Sequence, residues 1–333
     1  MKLSIKDIAL AAGVSHSTVS RALSNSPLIP EATRLRVQRI AQRKGYTPNA
    51  IARGLVTRRS QAIGVVVTTI ADPFVAEVVR GIEEVAGDQG YRVFLATSHD
   101  DPARELNVVT ALREWRVDGV IVAASRIGSL YGPLLQQIGV PIVLINNQHP
   151  GAFIHAIGVD DAQGAQIATH HLIQLGHRII GHLRGPADHR ASKNRLAGYR
   201  RALKRAEIPF DSSLVESGDG RAAGGERILQ LLAHFPPPTA VFCYNDMTAI
   251  GAMRALGLCG IRVPEDVSLI GFDYIPFAMY VDPPLTTIQQ PMAQMGRQAM
   301  LMALTLMKEP RSRVPDIVIP GTLIERESAR RLA

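Results

Sequence analysis

Two sets of residues in this chain are of types and spacings that could do chemistry. The first lies near the start. His16, Ser17 and Arg21 fall on the outer side of a short predicted helix, and imidazole, hydroxyl and guanidinium are groups that read base edges. The second set follows a series of apolar runs: Asp72, then Ser98, His99 and Asp100, then Ser125 and Arg126, then Asn146 and Asn147. Further along come His189 and Arg190, Asn245 and Asp246, and Asp273. Carboxylates, amides and an arginine converging on a cleft suit a small molecule rich in hydroxyls, because each buried polar group then keeps a partner. Loops are polar in most proteins, so no single one of these residues is decisive. Catalytic chemistry has no comparable support. The chain holds no GxSxG elbow, no GxxxxGK[ST] phosphate loop and no GxGxxG opening a helix. None of the ten histidines stands at zinc-ligand spacing, and His170, His171, His177 and His182 read as surface or packing residues. We expect no enzyme, no cofactor and no metal.

The first set depends on the stretch Ile5 to Leu23. Ser4 with Asp7 is a capping-box start, and Ile5, Ile8, Ala9 and Ala12 recur at helical spacing until Gly13 breaks the helix. Ser15 then caps a second helix whose apolar stripe, Val19, Ala22 and Leu23, faces inward. This is helix-turn-helix grammar, with an ordinary helical hairpin as the plainer alternative. Pro30 at a first helical position opens a third helix with Leu35, Val37, Ile40 and Ala41 on its buried side, and Gly45 ends it. Pro48 and Asn49 then start a segment of about seven helical residues. A helix that short is marginal in water, so it needs a brace such as DNA or a second copy of itself.

Charge is divided unevenly along the 333 residues. Residues 1–60 carry eleven Lys or Arg against Asp7 and Glu31, a net of +9, so the rest of the chain sums to −1 within a total of +8. A basic head on a neutral body is the footprint of polyanion binding at one end. With 46% hydrophobic residues and no apolar run near the ~20 needed to span a bilayer, we expect a soluble protein with no membrane partner. Met1-Lys2-Leu3 leads into a helix without a signal-peptide core, which predicts a cytoplasmic location. Cys243 and Cys259 sit among apolar residues and read as reduced packing thiols. Trp115 reads as core.

The second set depends on the body. From Ala62, runs such as AIGVVVTTI, YRVFLAT, DGVIVAA and PIVLIN alternate with amphipathic helices, and the pattern returns in RIIGHLRG, TAVFCYN and VSLIGFD. Continuous Val/Ile/Leu runs predict strands buried on both faces, and βαβ alternation predicts parallel sheets. The fold class is therefore α/β: two doubly wound parallel-sheet subdomains preceded by an all-α headpiece. Ligands of such sheets bind beyond the carboxyl ends of the strands, where the polar residues named above stand.

The headpiece IKDIALAAGVSHSTVSRALSNSPLIPEATRLRVQRIAQRKGYTPNAIARGL resembles that of the lactose-repressor (LacI/GalR) family of transcriptional regulators. So do PFVAEVVRGIE, RVDGVIV, HLIQLGHRIIGHLRGP, RLAGYRRAL, TAVFCYNDMTAIGAMRALG, VPEDVSLIGFD, PPLTTIQQP and the closing LIERES. The resemblance spans essentially the whole chain. It implies a headpiece over 1–48, a hinge helix and linker over 49–60, and a periplasmic-binding-protein-like effector and dimerisation core over 61–333. Its N-subdomain would take about 61–159 and 290–319, and its C-subdomain about 160–289 and 320–333. By resemblance, His16, Ser17 and Arg21 choose bases, Arg21 by a bidentate pair to guanine worth ~1–3 kcal/mol. Ser15, Thr18, Ser20, Ser24, Thr33, Tyr46 and Asn49 would hold phosphates. Ala52 would belong to the hinge helix, and Leu55 would be its minor-groove wedge.

The same resemblance puts Asp72, Phe74, Asn146, Arg195, Asn245 and Asp273 on effector-contact positions, and His189 joins them as a candidate from its place at a strand end. Two departures stand out. Gly220 follows Gly218-Asp219 where the family often has a large aromatic, and Phe74-Val75 stands where many members have Phe-Phe. A stacking wall would then be missing, which disfavours a purine and leaves a sugar, sugar acid or polyol. No leucine-heptad tail follows the LIERES segment, so a homodimer on a palindromic double-stranded DNA operator is expected. The implied function is a small-molecule-controlled repressor. The alternative is a periplasmic-type binding protein with no regulatory role.

Overall fold

A computed structural model of the chain describes residues 3–47, 59–125, 127, 139–148, 155–310 and 312–332. They form two compact units that divide between Gln61 and Ala62. In the first unit, α1 (Ile5–Ala12) begins where the Asp7 carboxylate accepts from the Ser4 backbone N–H and hydroxyl at 2.8 and 2.7 Å. It ends at Gly13, whose φ of 63° is left-handed and strain-free only without a Cβ. Ser15 caps α2 (His16–Leu23) by accepting from the Thr18 N–H at 3.1 Å. α3 (Glu31–Arg43) follows, with Pro30 at its N-cap rather than its first turn. Ile8, Ala9, Ala12, Val19, Ala22, Ile29, Val37 and Ala41 form the buried centre of the three helices. Leu35, expected there, is exposed. It lies two residues from Val37, about 200° around the helix, so the two cannot share one face.

The second unit holds two six-stranded sheets. The first lobe comprises β1 (Ala62–Val67), α4 (Pro73–Asp88), β2 (Arg92–Thr97), α5 (Pro102–Glu114), β3 (Gly119–Ala123), β4 (Ile142–Ile145) and β5 (Ala156–Val159). The second takes α6 (Asp161–Gln174), β6 (Ile180–Arg184), α7 (Arg190–Arg205), β7 (Val215–Ser217), α8 (Ile228–Leu232), β8 (Ala240–Cys243), α9 (Asp246–Leu258), β9 (Ser268–Asp273) and β10 (Thr286–Gln289). The chain then returns. α10 (Met292–Lys308) packs in the first lobe's core, β11 (Ile317–Ile319) joins its sheet, and β12 (Thr322–Ile324) closes the second. Strand orders are β11-β5-β4-β3-β1-β2 and β12-β10-β9-β8-β6-β7. The pairs are parallel except β12 with β10. Parallel strands need covering on both faces, and β1, β3 and β4 are buried along their whole lengths.

Three expectations are corrected here. β2 is not buried on both faces: it is a sheet edge, with Phe94 and Leu95 43% and 44% exposed. Trp115 is 69% exposed, its ring meeting Phe94 edge-on with centroids 6.2 Å apart outside that strand. Cys259 is exposed, and only Cys243 is a buried thiol. His177 and His182 are buried. Desolvation holds the His182 pKa down at about 4, so the ring is neutral and stacks on Phe242 at 4.9 Å between centroids. No described helix is long and apolar enough to cross a membrane.

The returning helix α10 is seated by two glycines. A Cβ on Gly81 would stand 2.0 Å from the Ala293 carbonyl oxygen, and one on Gly296 would stand 2.1 Å from that of Val78. Both would strike rigid helix backbone, so α4 and α10 approach closely only because neither position has a side chain. Gly81→Ala is expected to destabilise the 62–333 unit by ~1–3 kcal/mol, the usual range for overpacking, read as a lowered urea midpoint. An unchanged midpoint would contradict the close crossing.

Candidate functional site

On the headpiece, Ser15, His16, Ser17, Ser20, Arg21 and Ser24 are exposed, while Thr18, Thr33 and Tyr46 are half-buried. Ser15 is partly committed, since its hydroxyl caps α2 and also meets Ser17 and Thr18 at 2.8 and 2.9 Å. The Tyr46 ring packs against the headpiece core. One face of α2 thus carries His16, Ser17, Ser20 and Arg21 into solvent, with Val19 and Ala22 on the other. Asn49, Ala52 and Leu55 lie outside the described residues, as does Arg126.

In the body, the strand ends open on one cavity of about 530 Å³ between the two lobes. Asp72, Phe74, Asn146, His189, Arg195, Asn245 and Asp273 all line it, together with His99 and Asp100. The other polar strand exits among the described residues do not. Ser98 and Ser125 are buried and hydrogen-bonded to Val67 and Glu105, and Asp246 is sealed beneath the floor.

Arg195 is the centre of the cavity. Only 4% exposed, it sits on α7, where its Nε donates to Asp161 at 2.8 Å and its Nη1 to the Tyr244 carbonyl at 2.5 Å. Its Nη2 lies 3.8 Å from Asp273. The guanidinium carbon stands 3.7 Å over the Phe272 ring and 4.7 Å over Tyr244, both cation–π distances. Burial opposes its charge, but Asp161, Tyr244 and Asp273 outweigh that and raise its pKa. Asp273 follows the opposite logic. Burial pushes its pKa well above the carboxylate range, Arg195 pulls it back, and Asp246 and Asp72 push it up again as like charges.

The network continues into the other lobe. The Gln290 side chain donates to Asp273 at 2.6 Å and accepts from Asn146 at 3.2 Å. Asn146 ends β4 in the first lobe, Asp273 ends β9 in the second, and Gln290 lies on the crossover between them. Three cavity residues also begin helices. Asp72 caps α4 by accepting from the Phe74 N–H at 3.0 Å, and burial raises its pKa. Asn245 caps α9 through Thr248 and donates to the Gly220 carbonyl at 2.8 Å, so both ends of its amide are spent on holding loops. His189 stands at the N-cap of α7 without capping it, 3.6 Å from Asp100 across the cleft.

Several lining residues were not anticipated. Tyr244 is one of them, a strand-end residue directly before Asn245, which the strand-end rule could have found. Its ring lies 3.1 Å from where a Cβ on Gly220 would be, so an aromatic wall comes from β8 although position 220 has none. Gln148 and Gln290 were missed because they follow short or polar segments. Asp161, which does not line the cavity but holds Arg195, was missed because it begins a helix. Among the described residues no cluster of three or more His, Cys, Asp or Glu is arranged to hold a metal.

This combination of headpiece and cleft matches known proteins specifically. Residues 4–49 match the bacterial regulatory proteins of the lacI family, and residues 169–329 match a periplasmic-binding-protein-like domain. The transcriptional repressor CytR of Escherichia coli K12 is 37% identical over 305 residues, 91% of this chain and 89% of its own. The regulator GalR of the same strain is 38% identical over 328 residues, 97% of this chain and 95% of its own. The chain belongs to the lacI family. It is thus a transcriptional regulator with a DNA-binding headpiece and an effector-binding body. Among solved structures, a lac repressor dimer bound to operator and an anti-inducer has a TM-score of 0.88 at 28% identity, covering 99% of this chain and all of that one. A regulator, CelR, in complex with cellobiose has a TM-score of 0.75 at 31% identity, covering 98% and 100%.

Below the cavity floor, Asp246 is fully buried, accepting from the Thr287 hydroxyl and, at 2.9 Å, from the Ile275 N–H. Burial raises its pKa from 3.8 to about 7. A carboxyl whose folded pKa is raised contributes stability that is complete below pH 3.8 and lost as pH rises through about 7. Between about pH 5 and 7 the thermal midpoint of the parent should therefore fall, as pH rises, relative to that of Asp246→Asn, which lacks the titrating group while sharing every histidine. Equal slopes in both proteins would refute the assignment.

Proposed function

We propose that this regulator represses transcription by binding a near-palindromic operator as a homodimer, under control of an uncharged, hydroxyl-rich effector held between the lobes. The observation that carries the effector reading is the buried Arg195 set among Asp161, Asp273 and the Tyr244 carbonyl at the mouths of parallel strands. Remaining N–H groups of the guanidinium and the second oxygens of Asp72 and Asp273 would serve vicinal hydroxyls. Tyr244 and Phe74 would supply apolar faces, and Asn146 and His189 would complete the polar rim. Asn245 would act by holding the β8 exit in place.

The charge balance narrows the ligand. Asp72, Asp100, Asp219 and Asp273 line the cavity against Arg195 and the exposed Arg221, and Arg195 already faces two carboxylates. A sugar acid would add an anion beside them with little left to neutralise it, so a neutral sugar or polyol is favoured.

For DNA, His16, Ser17 and Arg21 would read bases from α2. Ser15, Thr18, Ser20, Ser24, Thr33, Tyr46 and Asn49 would orient on phosphates, and Ala52 and Leu55 would belong to a hinge helix that wedges the minor groove. A homodimer is supported by the outer edge of β2, which no strand among the described residues pairs with and where Phe94, Leu95 and Trp115 leave apolar surface exposed.

Two experiments test this. In a thermal-shift screen of neutral sugars, polyols and sugar acids, at least one neutral compound should raise the midpoint, and Asp273→Ala should abolish that rise. A rise confined to acids, or one retained in Asp273→Ala, would overturn the cavity assignment. Affinity for a palindrome near the chain's own gene should fall steeply with salt. Arg21→Ala should cost ~1–3 kcal/mol on that palindrome and much less on random DNA. A flat salt dependence or equal losses would remove the operator reading.

A further inference from the structure

Helix α7 has a poorly provided start. The first N–H groups of any helix have no partner within it, and the partial positive charge there favours acceptors or acidic residues. α7 has neither of its own: the N-cap His189 makes no capping hydrogen bond, and its first turn carries no acid and includes Arg190 and Lys193. The acceptors come from the other lobe. Gln148 receives the Arg190 N–H on its backbone carbonyl at 3.3 Å and the Ala191 N–H on its side-chain Oε1 at 3.1 Å.

Gln148 is itself fixed to the first lobe by its remaining groups. Its backbone N–H donates to the Ser125 carbonyl beyond β3 at 3.0 Å, and its Nε2 donates to the Asn146 carbonyl beyond β4 at 2.9 Å. Both nitrogens therefore bond at home and both acceptor oxygens reach across the cleft. A second tie, His189 to Asp100 at 3.6 Å, lies on the same seam. The helix capped in this way carries Arg195, five residues further on, into the cavity.

We propose that Gln148 is a positioning residue that caps α7 in trans, so that closing the cleft and completing the helix that presents Arg195 are one event. Opening the lobes leaves two N–H groups of α7 to water, which biases the body toward closure and ties Arg195 to the first lobe. This bears on regulation through the reading of the cavity as the effector site. The capping itself does not depend on that reading.

Amide hydrogen exchange on the full chain, without any added ligand, tests it. Gln148→Ala should speed exchange of the Arg190 and Ala191 amides by about 2- to 30-fold, the equivalent of a lost N-cap, and Gln148→Met, which keeps the length without the acceptor, should do the same. Peptides from α6 and β1 should exchange as in the parent, which separates the effect from general unfolding. His189→Ser gives α7 a cap of its own, and in that background Gln148→Ala should have little effect. Unchanged exchange at Arg190 and Ala191 in both single variants would overturn the proposal. So would an undiminished effect of Gln148→Ala beside His189→Ser, or equal acceleration throughout the body. A sugar screen that finds no ligand would leave this result standing, and a failed cap would leave the effector reading intact.

Discussion

A guanidinium withdrawn from water has to be surrounded by acceptors, and most of the second unit is arranged around that requirement at Arg195. The desolvation of a buried ion costs several kcal/mol unless charges and hydrogen bonds replace the lost water. Here the replacements come from three different elements: Asp161 from the start of α6, the Tyr244 carbonyl from the end of β8, and Phe272 and Asp273 from the end of β9. They can meet at one point only if α6 and α7 pack closely and β8 and β9 stand in register. Gly198 permits the first, since a Cβ there would stand 2.1 Å from the Ala162 carbonyl oxygen. The parallel pairing of Val241 with Leu269 and Phe242 with Ile270 secures the second.

That cluster belongs to the second lobe, yet it is linked to the first through amides. Gln290 occupies the crossover and joins Asp273 to Asn146, so a change in the angle between the lobes must alter a hydrogen bond next to Arg195. Asp72 on one side of the cleft and Asp273 on the other oppose closure by like-charge repulsion. The donor-rich ligand proposed for the cavity would relieve that repulsion while satisfying their oxygens. On that proposal shape change and ligand chemistry would be coupled through the same few atoms, which is the requirement for a ligand to shift a conformational equilibrium.

Much of this was legible in residue order. The rule that parallel strands open onto ligands at their carboxyl ends picks out Asp72, Asn146, His189, Asn245 and Asp273 without any coordinates, and the structure brings them to one cavity. Capping residues and Gly13 mark the headpiece helices to within a residue. What periodicity cannot supply is the order of strands in a sheet. The apolar run of β2 reads as an interior strand, and Trp115 as core, because nothing local says that β2 lies at an edge. Tyr244 looks like packing because an aromatic in an apolar run usually is. Gln148 and Gln290 depend on contacts 43 and 144 residues away in sequence, to Ala191 and Asn146, which no local pattern encodes.

The central claim is that occupancy of the cavity and docking of the headpiece on DNA are energetically coupled. The direct test is a thermodynamic cycle on the full chain. Operator affinity is measured with and without a saturating neutral sugar selected by thermal shift, and affinity for that sugar is measured with and without operator. Each ligand should change the other's affinity by one common factor, within the roughly 5- to 150-fold range usual for such coupling. Operator affinity that is the same with the cavity filled and empty would contradict it.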